Sequence, residues 1–128
     1  MPVDEPVWVA ISIVHAVHDE QLAEHGGQGG LRDAGLLESA LAKPRNAFAY
    51  GERSIPVLAA SLAFGIARNH PFLDGNKRTS LVVAELFLEL NDRELVASDE
   101  ECTVTFIALA AGERTEEQLA SWFLERTR

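Results

Sequence analysis

Apolar residues recur every three or four positions along most of the chain, the spacing of helices that bury one face. The first such stretch begins near Ala10 and ends at Gly26-Gly27, a pair typical of a helix C-terminus. The second begins after Asp33, a residue suited to capping a helix. We predict that it ends at Pro44, because proline lacks the N–H that a helix interior uses.

The middle of the chain predicts two further helices. Ser54 is placed to cap a third helix, which should end near His70 because Pro71 disfavours helical geometry at the residue before it. After the loop 71–75, apolar spacing resumes from about Asn76 to Leu90 and predicts a fourth helix.

Two shorter helices complete the pattern. Asp99 is predicted to cap the fifth, which Gly112 closes. The run Thr115-Glu116-Glu117-Gln118 fits a capping box that begins the sixth. The segment from Lys43 to Arg53 lacks helical periodicity and is interpreted as an irregular or hairpin-like excursion. The predicted fold is therefore all-α, a compact six-helix bundle with a short flap or hairpin.

Composition and charge narrow the class of protein. A chain of 128 residues with 47% hydrophobic residues favours one folded domain over residues 1–128. Its formal net charge of -9 disfavours general binding to nucleic acid. The longest apolar runs are too short to cross a membrane, and the acidic start at Asp4 and Glu5 does not resemble a signal peptide. With Cys102 as the one cysteine, no internal disulfide forms, and we expect a cytoplasmic protein.

Candidate chemistry is concentrated where the fourth helix begins. Lys77 and Arg78 put two cations at a helix N-terminus, which is itself positive, so this arrangement favours an anion between them. Backbone N–H groups at Gly75, Asn76 and Lys77 are expected to point at that anion, and Arg78 can bind a phosphate with two hydrogen bonds. The pattern predicts a phosphate site within an acidic protein.

Two ionisable side chains belong to the same loop. His70 is a candidate general base near neutral pH, and Asp74 can hold Mg²⁺ together with nucleotide phosphates. Burial of Phe72 would anchor the loop so that both point outward. Each residue has a structural explanation when taken alone, since Asp-Gly-Asn is an ordinary turn sequence. Their combination is far more specific and fits phosphoryl transfer.

The string His70-Pro71-Phe72-Leu73-Asp74-Gly75-Asn76-Lys77-Arg78 resembles the signature of the Fic/Doc family, His-x-Phe-x-Asp/Glu-Gly/Ala-Asn-x-Arg. Fic-type enzymes usually carry glycine after the asparagine, whereas this chain has Lys77, as Doc toxins do. The stretches from His25 to Ala40 and from Ala110 to Ala120 also look like the Doc branch.

The resemblance implies a toxin that uses ATP and Mg²⁺ to phosphorylate a threonine or serine hydroxyl, that of elongation factor Tu in the known Doc case. His70 would be the general base, Asp74 would hold Mg²⁺, and the phosphates would contact Gly75, Asn76, Lys77 and Arg78. The family's flap before the third helix corresponds to about residues 45–53. There Phe48 and Tyr50 are candidate target contacts by strand addition, with core packing of both as the alternative.

Regulation follows from the same resemblance. Family autoinhibition uses Ser/Thr-x-x-x-Glu-Gly/Asn, and the nearest fit, Ser121 to Glu125, is followed by Arg126. Inhibition is therefore expected in trans, from a cognate Phd-like antitoxin.

Three alternatives to the kinase remain open. The first is a Fic-type AMP transferase, and the second is a catalytically inactive binding module with the same fold. The third is a metal hydrolase built on His15 and His18, whose spacing can present two ligands on one helix face.

Overall fold

A computed structural model describes residues 4–128 and shows six α-helices within them. They are α1 (Ile11–His25), α2 (Ala34–Ala49), α3 (Ile55–Asn69), α4 (Asn76–Leu90), α5 (Asp99–Ala110) and α6 (Glu116–Arg126). The all-α prediction is confirmed. None of the helices in this part of the chain is long and apolar enough to cross a membrane.

Helix α3 is the centre of the bundle. It packs against α2, α4, α5 and α6, while α1 lies against α4. Nine of its residues are buried, among them Leu58, Leu62 and Ile66. A helix that is apolar on nearly every side is stable only when it is covered on nearly every side. Its end, where the loop 71–75 begins, is therefore fixed by all of these neighbours.

The starts of the helices follow the local sequence, with one small difference at the fifth helix. Hydroxyls of Ser54 and Thr115 accept the N–H groups of Val57 and Gln118, and the capping box at Thr115 is complete. The fifth helix is capped by Ser98 and not by Asp99, which is already the first helical residue. A serine at the cap and acidic residues in the first turn both suit the positive end of a helix.

The predicted end of the second helix at Pro44 is wrong. Helix α2 continues to Ala49, with Pro44 buried inside it. An interior proline costs about 3 kcal/mol in an isolated helix, because one hydrogen bond is lost and the ring crowds the preceding turn. Burial of the Pro44 ring, together with the packing of Phe48 against Trp8 at a centroid distance of 6.0 Å, offsets this penalty.

The predicted hairpin is also absent from residues 45–53. The first part of this segment is the last turn of α2, and a tight turn at Tyr50-Gly51 leads into α3. Within residues 4–128 the strand-like pairing is limited to two isolated β-bridges, Leu31 with Phe72 and Leu95 with Thr127. The first of these bridges joins the glycine-rich segment, residues 26–31, to the loop before α4.

Candidate active site

The loop between α3 and α4 begins at His70, which ends α3 in a left-handed conformation with φ 49°. The side chain of Arg32 supports this turn, since its Nε donates to the carbonyl of His70 at 2.6 Å and its Nη2 to that of Asn69 at 2.7 Å. Carbonyls at a helix C-terminus have no helical partners, and a cation satisfies them well. Arg32 therefore fixes the backbone that carries the His70 imidazole.

Backbone pairing holds the next residues of the loop. The N–H groups of Arg32 and Asp33 both donate to the carbonyl of Pro71, at 2.7 and 3.0 Å. The N–H of Leu73 donates to the carbonyl of Gly30 at 3.1 Å. The glycine-rich segment before α2 is thus one wall of the loop.

Phe72 is the buried centre of the loop, with 1% of its surface exposed. The ring of His18 stacks on it at a centroid distance of 3.7 Å, and His15 meets it edge-on at 5.9 Å. The side chain of Asn76 bonds the Phe72 backbone twice, accepting its N–H at 3.0 Å and donating to its carbonyl at 2.9 Å. The Asn76 side chain therefore closes the loop, and the backbone N–H of this residue is available for the predicted phosphate contact.

The Asp74 carboxylate is exposed and is held by two backbone amides. Its Oδ1 accepts the N–H of Gly75 at 2.8 Å, and its Oδ2 accepts the N–H of Gln28 at 3.3 Å. The Gly75 amide, predicted to face an anion, is therefore occupied. Each carboxylate oxygen keeps a second lone pair, which suits an ion such as Mg²⁺.

In the described residues helix α4, like α1, begins without a side-chain cap, whereas α2, α3, α5 and α6 each have one. Its N-cap is Gly75, at φ 79°. The first N–H groups of a helix have no partner within it, so those of Asn76, Lys77 and Arg78 face the outside of the helix end. The side chains of Lys77 and Arg78 are exposed at the same place. Backbone dipoles and two cations therefore meet at this helix end, an arrangement whose chemistry suits an anion.

A cavity of about 590 Å³ lies in front of this helix end. Six of the predicted site residues line it: His70, Asp74, Gly75, Asn76, Lys77 and Arg78. Its volume is within the range of roughly 300–1,000 Å³ of small-molecule sites. Among the described lining residues Asp74 is the only carboxylate, so the donor set fits a Mg²⁺ ion shared with substrate phosphates.

Phe48 and Tyr50 do not line this cavity. Phe48 is half-buried between Trp8 and the guanidinium of Arg53, which lies 4.2 Å from the ring centroid. Tyr50 is 91% exposed. Of the two candidate target contacts, Phe48 packs against its neighbours and Tyr50 is available on the surface, and contact with a target stays a prediction for both.

Helix α5 forms the far wall of the cavity, which sequence analysis did not predict. The wall residues are Cys102, Thr103, Phe106, Ile107 and Ala110. They lie more than twenty positions after the loop and carry no motif, so only the packing of α4 against α5 reveals them. Burial, followed by the charge of Glu85, raises the pKa of the Cys102 thiol, which disfavours the reactive thiolate.

His15 and His18 of α1 were the candidate ligands of a metal site. In residues 4–128 no three histidine, cysteine or acidic side chains are grouped closely enough to hold an ion. His18 is 3% exposed and its Nε2 bonds the carbonyl of Asp74 at 2.8 Å. The metal-hydrolase alternative therefore has no cluster of ligands to support it among the described residues, and His18 of α1 instead supports the loop before α4.

Comparison with known proteins agrees with this geometry. Residues 8–88 match the Fic/DOC family. Toxin Doc of Mycolicibacterium smegmatis is 45% identical over 56% of this chain and 57% of its own length, so the match spans little more than half of that relative. Protein kinase doc of Escherichia phage P1 is 34% identical over 77% of this chain and 78% of its own. The chain belongs to the Fic/Doc family, on its Doc branch.

Proposed function

We propose that this protein is a Doc-like toxin that transfers a phosphate from ATP to a threonine or serine hydroxyl of a host protein. Elongation factor Tu, whose loss would stop translation in the cytoplasm, is the first target to test. The observation that carries the proposal is the pair Lys77 and Arg78 at an uncapped helix N-terminus, beside an exposed histidine and an exposed aspartate in one cavity. The N-terminus of a helix carries partial positive charge, so two cations placed there are unfavourable unless a bound anion offsets the charge.

The cavity supports a division of labour among its residues. The Arg78 guanidinium can bind two phosphate oxygens at once, while Lys77 supplies a point charge. Free N–H groups of the first turn of α4 complete the phosphate cradle without any movement of the protein. Asp74 would hold Mg²⁺ together with the phosphates, and the ion would supply positive charge that offsets the charge of those phosphates.

His70 is proposed to take the proton of the target hydroxyl. As the hydroxyl oxygen bonds to the γ-phosphorus, the bond from that phosphorus to the bridging oxygen breaks and ADP leaves. The proton moves to an imidazole nitrogen and then to solvent. Arg32 holds the His70 carbonyl from behind, so that the ring can be exposed while its backbone stays fixed.

Labelled ATP tests the reaction. The protein is incubated with elongation factor Tu and Mg²⁺, with ATP that is labelled on either the γ- or the α-phosphate. Label from the γ-phosphate on the target supports the kinase proposal. Label from the α-phosphate would refute that proposal and indicate AMP transfer. Intact mass of the target separates the same two products, because AMP is much heavier than phosphate.

Variants make this test specific. His70→Ala should abolish both labelling and growth arrest, whereas His25→Ala, an exposed histidine outside the cavity, should retain both. Growth arrest that survives His70→Ala would refute the catalytic proposal and favour a binding module.

We also propose that inhibition comes in trans from a cognate antitoxin. The nearest sequence match to an inhibitory segment ends at Glu125, and this carboxylate lies 3.3 Å from Arg126 on α6, away from Arg78. Co-expression with neighbouring genes should identify a product that binds the protein and restores growth. A chain that is harmless when expressed alone would contradict this proposal.

A further inference from the structure

The carbonyl of the peptide bond between Asp74 and Gly75 is held by a side chain of α1. The Nε2 atom of the buried His18 lies 2.8 Å from the Asp74 carbonyl oxygen. A carbonyl oxygen only accepts hydrogen bonds, so Nε2 must carry the proton. The ring itself is held by stacking on Phe72, with 9° between the ring planes. His18 is therefore a donor whose position and direction are both set by packing.

Because the Asp74–Gly75 peptide is planar, the hydrogen bond to its carbonyl also sets the direction of the Gly75 N–H, which bonds the Asp74 carboxylate. In a trans peptide the C=O and the next N–H lie in one plane and point in opposite directions. With the Asp74 carbonyl directed at His18, the Gly75 N–H points the other way, where it donates to Asp74 Oδ1 at 2.8 Å. The direction of one carboxylate oxygen thus depends on His18 through one rigid unit.

The second carboxylate oxygen is limited by the glycine-rich segment. The Gln28 N–H donates to Asp74 Oδ2, and a Cβ atom at Gly27 would lie 2.7 Å from that oxygen. A side chain at residue 27, where φ is +125°, would be strained and would also displace the carboxylate. The Asp74 side chain therefore has one orientation in this loop.

We propose that His18 is a positioning residue that prepares Asp74 to receive Mg²⁺ with the nucleotide phosphates. The inference rests on the proposed use of Mg²⁺ and ATP at this site. Without the Nε2 donor, the Asp74–Gly75 peptide is free to rotate and the carboxylate must be ordered again at each binding event. His18 touches neither substrate nor metal, so it acts through Asp74 alone.

A purely structural role for His18 makes a different prediction. If its ring only fills space against Phe72, any flat side chain should replace it. His18→Phe keeps a flat ring and removes the donor, and His18→Gln places an amide N–H at about the reach of Nε2 without a ring. His15→Phe is the matched control, because His15 also contacts Phe72 but forms no hydrogen bond with the Asp74–Gly75 peptide.

The experiment measures ATP binding by calorimetry with and without Mg²⁺, using the full chain, together with the melting temperature of each variant. We expect His18→Phe to weaken the Mg²⁺-dependent part of ATP binding by about three- to tenfold, the value of one neutral hydrogen bond. Binding without Mg²⁺ should change little. His18→Gln should recover most of the loss, and His15→Phe should bind as the parent does.

The outcomes separate this inference from the proposed function. If the parent chain itself binds no ATP, the proposed function fails. If the parent binds and His18→Phe binds equally well, or if His18→Gln is as weak as His18→Phe, the positioning role is refuted. Should His18→Phe not fold, His18→Met takes its place as a variant without a donor, and the same comparison with His18→Gln decides.

Discussion

Replacement of Asn76 by alanine tests whether the loop before α4 depends on a single side chain. Asn76 is 8% exposed and bonds both the N–H and the carbonyl of Phe72. Alanine suits the start of a helix at least as well as asparagine in its intrinsic propensity, so α4 itself should not be weakened. The change therefore removes the loop closure and little else.

The size of the effect follows from the two groups left without partners. A buried polar group that loses its hydrogen bond costs about 1–3 kcal/mol. Because the cavity is adjacent and water can reach part of the loop, we expect Asn76→Ala to lower the free energy of unfolding by about 2–4 kcal/mol. In a domain of this size that corresponds to a fall in Tm of roughly 10 °C.

Asn91 provides the matched control. Its side chain likewise bonds backbone groups, namely the N–H and carbonyl of Val7 and the carbonyl of Phe87, but at the opposite end of α4. Asn91→Ala should lower Tm by a smaller amount, because these groups are partly exposed and water replaces the lost bonds. It should leave ATP binding unchanged.

Thermal melting and ATP calorimetry on both variants complete the test. Asn76→Ala should lose stability and ATP affinity together, measured at a temperature where it is still folded. An Asn76→Ala protein that melts with the parent would refute the hydrogen-bond reasoning. One that melts early but binds ATP normally would show that the phosphate cradle does not depend on loop closure.

Three further changes test other parts of the structure. Arg32→Lys keeps the charge but cannot reach both carbonyls at the end of α3, so target labelling should fall about three- to tenfold with a small change in Tm. Gly65→Ala would place a Cβ atom 3.1 Å from Ala40 Cα and so push α2 from α3, lowering the free energy of unfolding in urea by about 1–3 kcal/mol. Burial, followed by neighbouring carboxylates, raises the pKa of Glu85 above its ordinary 4.5. A carboxyl group whose pKa is higher in the folded than in the unfolded protein stabilises the fold fully below about pH 4.5. This contribution to the free energy of unfolding is lost as the pH rises through the raised pKa. Glu85→Gln should therefore melt higher than the parent at about pH 7 and lose this advantage near about pH 4. An equal gain at both pH values would contradict the assignment to ionisation.

Local sequence signals determined most of the helices and the chemistry of the loop. Asp33, Ser54 and Thr115 cap helices as predicted, because a capping side chain needs only the N–H groups two or three residues ahead of it. The string from His70 to Arg78 lies on one helix–loop–helix, so its residues are close to one another along the chain. Seven residues of this string line one cavity.

Tertiary packing decided what these local signals could not. Pro44 is tolerated within α2 because its ring is buried. Part of the segment predicted to form a hairpin is therefore the last turn of that helix. Asn76, predicted to hold phosphate, uses its side chain to close the loop, since Phe72 lies beside it only after the loop folds.

The parts of the site contributed by distant segments came from tertiary structure alone. Arg32 supports the turn at His70, His18 fixes the Asp74 peptide, and α5 supplies the far wall of the cavity. These arrangements bring together residues more than twenty positions apart, and no spacing rule links such positions in a sequence. The chain thus determined by itself which groups perform the chemistry, whereas the packing of α1, α2 and α5 around the loop decided what holds them in place.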